Sequence, residues 1–211
     1  MAKDIIVIGA GGFGREALWT IERINEKEPV WNILGFADDD AKLAGKHVEG
    51  YPVLGSIEQA DRDHPGAAVF IALGDNALRE KLYRRLRGHD FPILVDPSAD
   101  VAAASDIRHG TFIGPRAVVS VGTKLGKLVI VNARAGVGHD CTLGDFAQVC
   151  PGASLSGHTT VGDSAFIATN ACTAPGVKIG KGARIAAGTP VYSNVADGET
   201  LSPFGTLKGR A

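Results

Sequence analysis

The stretch that decides the fold is Val137-Gly138-His139-Asp140-Cys141-Thr142, followed by Leu143-Gly144-Asp145-Phe146-Ala147-Gln148, Val149-Cys150-Pro151-Gly152-Ala153-Ser154 and Leu155-Ser156-Gly157-His158-Thr159-Thr160. Each block of six opens on an aliphatic residue. Four places on stands a small or β-branched one: Cys141, Ala147, Ala153, Thr159. Stepping by six in both directions extends the pattern from Val101 to Val191, and four places beyond that last opening residue stands Val195. Fifteen of the sixteen opening positions are Ile, Leu or Val, with Thr173 the exception, far more than chance would place in this chain. A period of six fits neither a helix nor an alternating strand. It fits a solenoid whose coil has three flat sides of one hexad each. The aliphatic residue points inward, the small one packs near the corner, and Gly, Asn or Asp absorbs the turn. Sixteen hexads make a little over five coils of 18 residues, a prism about 25 Å tall at roughly 4.8 Å per layer.

The rest of the composition suits such an interior. Gly accounts for 28 of 211 residues and aromatics for only 6%, so frequent turns and small aliphatic side chains must build the core. Lys and Arg (22) balance Asp and Glu (23) without a basic run, which gives nucleic acid or an anionic membrane little to hold. No apolar run reaches about 18 residues. Cys141, Cys150 and Cys172 form no CxxC pair, and an odd count fits a reduced, cytoplasmic protein. No His or Cys spacing of a metal site occurs, so no metal is expected.

Ahead of the repeat lies a different pattern. Ile5–Ile8 reads as a buried strand entering Gly9-Ala10-Gly11-Gly12-Phe13-Gly14, with a helix from Arg15 to about Glu26. A strand, a Gly-rich turn and a helix N-terminus present backbone N–H groups to a phosphate. Asp38-Asp39-Asp40 follows the next strand, Ile33–Ala37, so a dinucleotide site has to be weighed. Further strands at Val53–Gly55, Val69–Leu73 and Pro92–Val95, with helices from about Ser56 and from Ala77 to Arg87, make four or five parallel strands in about 95 residues. That is half of a doubly wound fold, better suited to a mononucleotide or nucleotide sugar than to NAD. Pro97 biases Asp96 away from helix, and the chain divides as 1–96 (half-Rossmann domain), 97–195 (β-helix) and 196–211 (C-terminal tail). His47, His64 and His89 read as surface residues.

His139 is the third residue of its hexad and therefore stands at a corner, with Gly157 one coil above it. That pairing leaves room for a ligand beside the imidazole and exposes a backbone N–H. Acyl transfer needs both, a base for the attacking group and a donor for the thioester oxygen. His158 stacks over Asp140 as an ion-pair partner, and no Ser or Cys is placed to form an acyl-enzyme.

Half-Rossmann followed by hexads resembles the family of sialic acid O-acetyltransferases and bacterial nucleotide-4-aminosugar N-acetyltransferases. The segments carrying the resemblance are Ile8-Gly9-Ala10-Gly11-Gly12-Phe13-Gly14-Arg15-Glu16, Gly35-Phe36-Ala37-Asp38-Asp39-Asp40, Ala72-Leu73-Gly74-Asp75-Asn76-Ala77-Leu78-Arg79, Asp96-Pro97-Ser98-Ala99 and Gly138-His139-Asp140-Cys141. The resemblance implies a left-handed parallel β-helix, a homotrimer with active sites between subunits, and acetyl-CoA as co-substrate. It implies His139 as general base oriented by Asp140, Gly157 N–H as oxyanion donor and Asn132 as an active-site residue. For acetyl-CoA it implies Gln148, Gly157, Thr169, Ala187 and Gly188. For the nucleotide sugar it implies Gly9, Gly11, Gly12, Phe13, Gly14, Arg15, Asp38, Asp39, Gly74, Asp75 and Asn76. Two departures stand out: Phe13 replaces a His common in such proteins, and Leu201–Lys208 lacks the Gly-x-Pro-Ala-Lys/Arg tail of many hexapeptide acyltransferases. The reading that follows is N-acetylation of a nucleotide-linked 4-amino sugar. O-acetylation of sialic acid and a non-catalytic nucleotide-sugar scaffold are the alternatives.

Overall fold

The computed structural model describes residues 2–207; Lys208, which ends the divergent tail segment, lies outside them. The chain divides into two compact units, Met1–Pro97 and Ser98–Ala211.

In the first unit, β1 (Lys3–Ile8) is the middle strand of a parallel sheet. On one side it pairs with β2 (Trp31–Ala37) and on the other with β5 (Ala68–Ile71). Between them β3 (His47–Val48) and β4 (Tyr51–Pro52) form a small antiparallel hairpin. Ile5–Ile8 and Ala68–Ile71 are buried throughout, as a strand covered on both faces requires. The sheet is narrower than the four or five strands expected. Val53 contributes only a one-residue bridge to Phe36, and Leu94–Val95 is no rung of it. Helix α1 (Gly12–Lys27) packs Gly14, Ala17, Leu18 and Ile21 inward, one stripe at helical spacing. Helix α2 (Ile57–Asp63) is capped by Ser56 and α3 (Asn76–Arg85) by Asp75, each side chain accepting from the N–H three residues on. That is the usual N-cap bond. His89 departs from its expected surface position. Its side chain is 3% exposed and bridges Ala67 O (2.7 Å) and Asp61 Oδ1 (2.8 Å).

The second unit is a three-sided parallel β-helix. One face stacks Asp100–Val101 to Pro190–Val191, the next Asp106–Ile107 to Lys178–Ile179, and the third Phe112–Ile113 to Arg184–Ile185. Register advances by 18 residues per coil, as in Val119 to Val137 and Val137 to Leu155. The opening residues from Ile113 to Val191 are buried, and so are the small residues from Thr111 to Thr189. The corners hold one surprise. From Gly110 to Gly188 every sixth residue has left-handed φ, and eight of these fourteen are not Gly, among them Arg116, Leu128, Phe146 and His158. The strain, about 1–2 kcal/mol per residue, is met by backbone bonds between coils such as His158 N–H to His139 O at 2.9 Å.

The last coil is two residues short. Val195, which the period made a small corner residue, bridges Ile179 instead. Thr200–Ser202 pairs with Arg184–Ile185 at an offset of 16. The β-helix therefore continues past 195 to about six turns, and Gly205–Leu207 folds back on it as a hairpin. The tail expected from residue 196 therefore begins inside the solenoid.

Candidate active site

His139 and Asp140 occupy the corner where strand Gly136–Val137 turns toward Thr142–Leu143. The His139 Nδ1–H donates to Asp140 Oδ2 at 2.9 Å, which leaves Nε2 as the free basic nitrogen of a neutral imidazole. The hydrogen bond from His139, then the charges of His158 and His139, hold the Asp140 carboxyl below its ordinary 3.8 against the opposing effect of desolvation. Asp140 stays ionised and keeps the ring oriented. Directly above lies Gly157. A Cβ there would meet His139 Cε1 and Nε2, each at 2.5 Å, so only glycine lets the backbone rest on the ring. Gly138 has the same function one coil below, since a Cβ there would come within 2.8 Å of Gly157 N.

The Gly157 N–H has no hydrogen-bond partner among the described residues. Several equivalent N–H groups at other corners are capped. Asp145 Oδ1 accepts from Lys127, Asp163 Oδ1 from Asp145, Asp197 Oδ1 from Lys181 and Asn132 Oδ1 from Ala133. Gly157 thus places an uncommitted donor beside the His139 ring.

His158 adds itself to this corner. Its Nε2 lies 3.9 Å from Asp140 Oδ2 and its ring is edge-on to His139 with centroids 5.0 Å apart. The three side chains are all more than half exposed and bring their ligating atoms within 4.8 Å of one another. Such a trio could hold a metal. Nδ1 and Oδ2 are, however, already committed to each other, so the arrangement suits a base dyad better. Cys141, next in the chain, is buried, which pushes its thiol pKa up, and its Sγ–H donates to Ser156 O at 3.2 Å. It is no nucleophile.

Asn132, expected in the active site, and the remaining residues expected to hold acetyl-CoA stand elsewhere on the prism. Asn132 is at another corner, with its Oδ1 on Ala133 N. Gln148 is 8% exposed and its amide donates to Cys150 Sγ at 3.5 Å. Thr169 does face solvent. With Arg134, Pro151, Gly152 and Asn170 it lines a groove of about 350 Å³. Ala187 and Gly188 follow it one coil later, where Gly188 N donates to Thr169 O.

In the first unit the glycines divide by what surrounds them. Gly9 (φ +99°) presses on Leu73, and a Cβ on Gly14 would sit 1.9 Å from Gly9 O. These two are demanded by helix-on-strand packing. Gly11 and Gly12 have open space where a Cβ would go, and α1 starts without a side-chain cap. Phe13 packs edge-on against Phe70 at 6.3 Å, and Arg15 pairs with Glu49 at 3.3 Å. The acidic residues are more committed than the sequence suggested. Asp38 Oδ2 accepts from Ala10 N and its Oδ1 from Asp40 N, while Asp39 Oδ1 accepts from Ile57 N. They tie the Gly-rich turn and α2 to the end of β2. Gly74 lies open, Asp75 caps α3, and Asn76 is its first residue. Sequence reasoning missed Arg79 as a support of this region. It is 1% exposed and donates from Nη1 to Leu73 O at 2.8 Å, and only its burial could have marked it.

The three-sided parallel β-helix is an architecture found in hexapeptide-repeat acyltransferases. More particularly, residues 4–86 match the PglD N-terminal domain. The whole chain is similar to perosamine N-acetyltransferase from Caulobacter crescentus, solved with CoA and GDP-perosamine. The two are 27% identical with a TM-score of 0.90 over 100% of this chain and 99% of that one. It is similar to the acetyltransferase domain of PglB from Neisseria gonorrhoeae with acetyl coenzyme A, at 29% identity and TM-score 0.88 over 98% and 99% of the two chains. WeeI from Acinetobacter baumannii matches at 28% and 0.83, again over 98% and 99%. No curated protein sequence matches. The chain shares its architecture, left-handed β-helix included, with the hexapeptide-repeat nucleotide-aminosugar acetyltransferases.

Proposed function

We propose that the protein is an acetyl-CoA-dependent N-acetyltransferase acting on the amino group of a nucleotide-linked 4-amino sugar. The observation that carries this is the His139–Asp140 dyad lying under an uncommitted Gly157 N–H. The neutral amine attacks the thioester carbonyl carbon directly. His139 Nε2 takes the proton the nitrogen sheds, Asp140 steadies the imidazolium, and Gly157 N–H receives the negative oxygen of the tetrahedral intermediate. Collapse expels the coenzyme A thiolate, which recovers the proton from His139. Acetyl-CoA, the co-substrate of the similar PglB domain, would run past Thr169 and the Ala187-Gly188 corner.

The nucleotide diphosphate belongs to the first unit. Open backbone at Gly11 and Gly12, the uncapped start of α1 and Arg15 suit its phosphates, and Gly74-Asp75-Asn76 its remainder. Asp38 and Asp39 act there by holding the turn rather than by offering free carboxylates to a ribose. Three copies of the chain would assemble with sites between them. No helix among the described residues is long and apolar enough to cross a membrane, and the reaction is assigned to the cytoplasm.

The test is coenzyme A release from acetyl-CoA over UDP-, GDP- and dTDP-linked 4-amino sugars and free sialic acid. Wild type should turn over one nucleotide amino sugar. His139→Ala should lose about 10²- to 10⁴-fold in kcat, and Gly157→Ala should lose activity while remaining folded, because the clash falls on a mobile ring. Turnover with sialic acid alone would replace the reading by O-acetylation.

A further inference from the structure

Thr173 is the one polar residue in the opening position of a hexad, 6% exposed inside the prism. Its surroundings differ from every other coil. Elsewhere before the shortened last coil the residue after the opening one donates its N–H to the opening residue's carbonyl in the next coil, as Gly138 does to Leu155 O and Ala174 to Val191 O. Ser156 instead turns its N–H onto the Thr173 hydroxyl (3.0 Å), and its own hydroxyl takes the Thr173 carbonyl (2.6 Å). The ladder between these strands keeps only the Ser154–Cys172 pair.

The Thr159 hydroxyl donates to Ser156 O at 2.7 Å and lies 3.0 Å from that of Thr173. A carbonyl only accepts, so the Thr159 proton goes to Ser156 O and Thr173 must donate to Thr159. A closed ring results: Ser156 N–H to Thr173, Thr173 to Thr159, Thr159 back to Ser156 O. Such rings strengthen each member by polarisation.

The peptide that carries Ser156 O also carries Gly157 N–H. It is trans and planar, so the N–H points opposite to the carbonyl. The carbonyl is held from inside by two fully buried donors, Thr159 Oγ and Cys141 Sγ. The N–H is thereby directed away from the prism interior. Single bonds such as Thr123 Oγ to Gly138 O recur along the solenoid, and they serve the fold. Two donors on one carbonyl, closed into a ring through Thr173, occur at the peptide above His139.

We infer that Thr173 and Thr159 are positioning residues that lock the Ser156–Gly157 peptide so that the Gly157 N–H is aimed at the reacting carbonyl oxygen. This rests on the acetyltransferase reading above. Thr173→Val restores the aliphatic residue found at the other fifteen openings and lets the ordinary ladder bond re-form. A purely structural Thr173 predicts an unchanged or higher Tm and unchanged kcat. Positioning predicts an unchanged Tm, KM values within about threefold, and kcat down by about tenfold to a hundredfold, the scale of a small misplacement. Thr173→Ser should restore kcat, since it keeps the hydroxyl. Unchanged kcat in Thr173→Val overturns the inference.

Should Thr173→Val fail to fold, Thr159→Val, which removes a donor from the same carbonyl, answers the same question. A second readout does not depend on turnover. Gly157 rests on the imidazole, so its amide resonance should follow His139 titration in NMR. Thr173→Val should alter that titration and Thr173→Ser preserve it. Silence of wild type towards every acceptor overturns the proposed function, and an unaltered Gly157 titration overturns the positioning.

Discussion

Asp140 shows how much a single exposed carboxylate depends on its partners. Its pKa lies below 3.8 chiefly because His139 donates to it. A depressed folded pKa contributes stability that is present above the unfolded value and lost as pH falls through the folded one, so acid breaks the dyad below about pH 4. In His139→Ala the Asp140 carboxyl should titrate closer to 3.8 in a carbon-detected NMR experiment. A value unchanged from wild type would mean that the bond is not formed in solution. His139, Asp140 and Gly157 were legible in the sequence because a period of 18 places one residue over another. Thr173 was legible only as an exception. Its reason is a ring of hydroxyls contributed by two coils, which no spacing rule encodes.

Elements were read well where one physical demand dominated. Ile5–Ile8 had to be a buried strand, and the stripe of Ala17, Leu18 and Ile21 had to be the inner face of a helix. The Gly-rich turn was ambiguous because glycine answers two different demands with one letter. Gly14→Ala should unfold or severely destabilise the first unit, because its Cβ would meet Gly9 O at 1.9 Å. Gly12→Ala faces open space and should leave the unfolding free energy within about 0.5 kcal/mol of wild type. It should nonetheless raise KM for the nucleotide sugar by crowding the phosphate approach. Thermal melts and steady-state kinetics of the two variants separate the roles, and equal melting temperatures would undo the distinction. The short strand expected at Val53–Gly55 forms only one bridge, since an apolar pair beside Pro52 supplies too few rungs to hold a sheet edge.

At the scale of the molecule, a solenoid makes each coil lean mainly on its neighbours. Stability is therefore spread along the described coils from Ser98 onward rather than gathered at one core. The two-residue shortening before Val195 shows the limit of strict periodicity, because parallel pairing tolerates a tighter corner and the sheet runs on. His139 and Thr169, both assigned to the acyl site under the proposed function, stand at different corners of the prism, which suits the proposed assembly in which neighbouring copies complete one another. Light scattering should give three times the 21.9 kDa chain mass. A monomer at assay concentration, with full activity, would rule out sites between copies.

The period of six, written in fifteen aliphatic residues, determines the prism by itself, because each coil repeats one local instruction and neighbouring coils read it identically. It also places His139 at a corner and Gly157 above it. Which corner N–H groups are left uncommitted, which glycines are held by packing and which aspartates are already engaged depend on groups that meet from separate coils or from the ends of separate strands. Those choices are made by the direction of each peptide and the atoms one layer away, and they enter the protein only when the chain is wound.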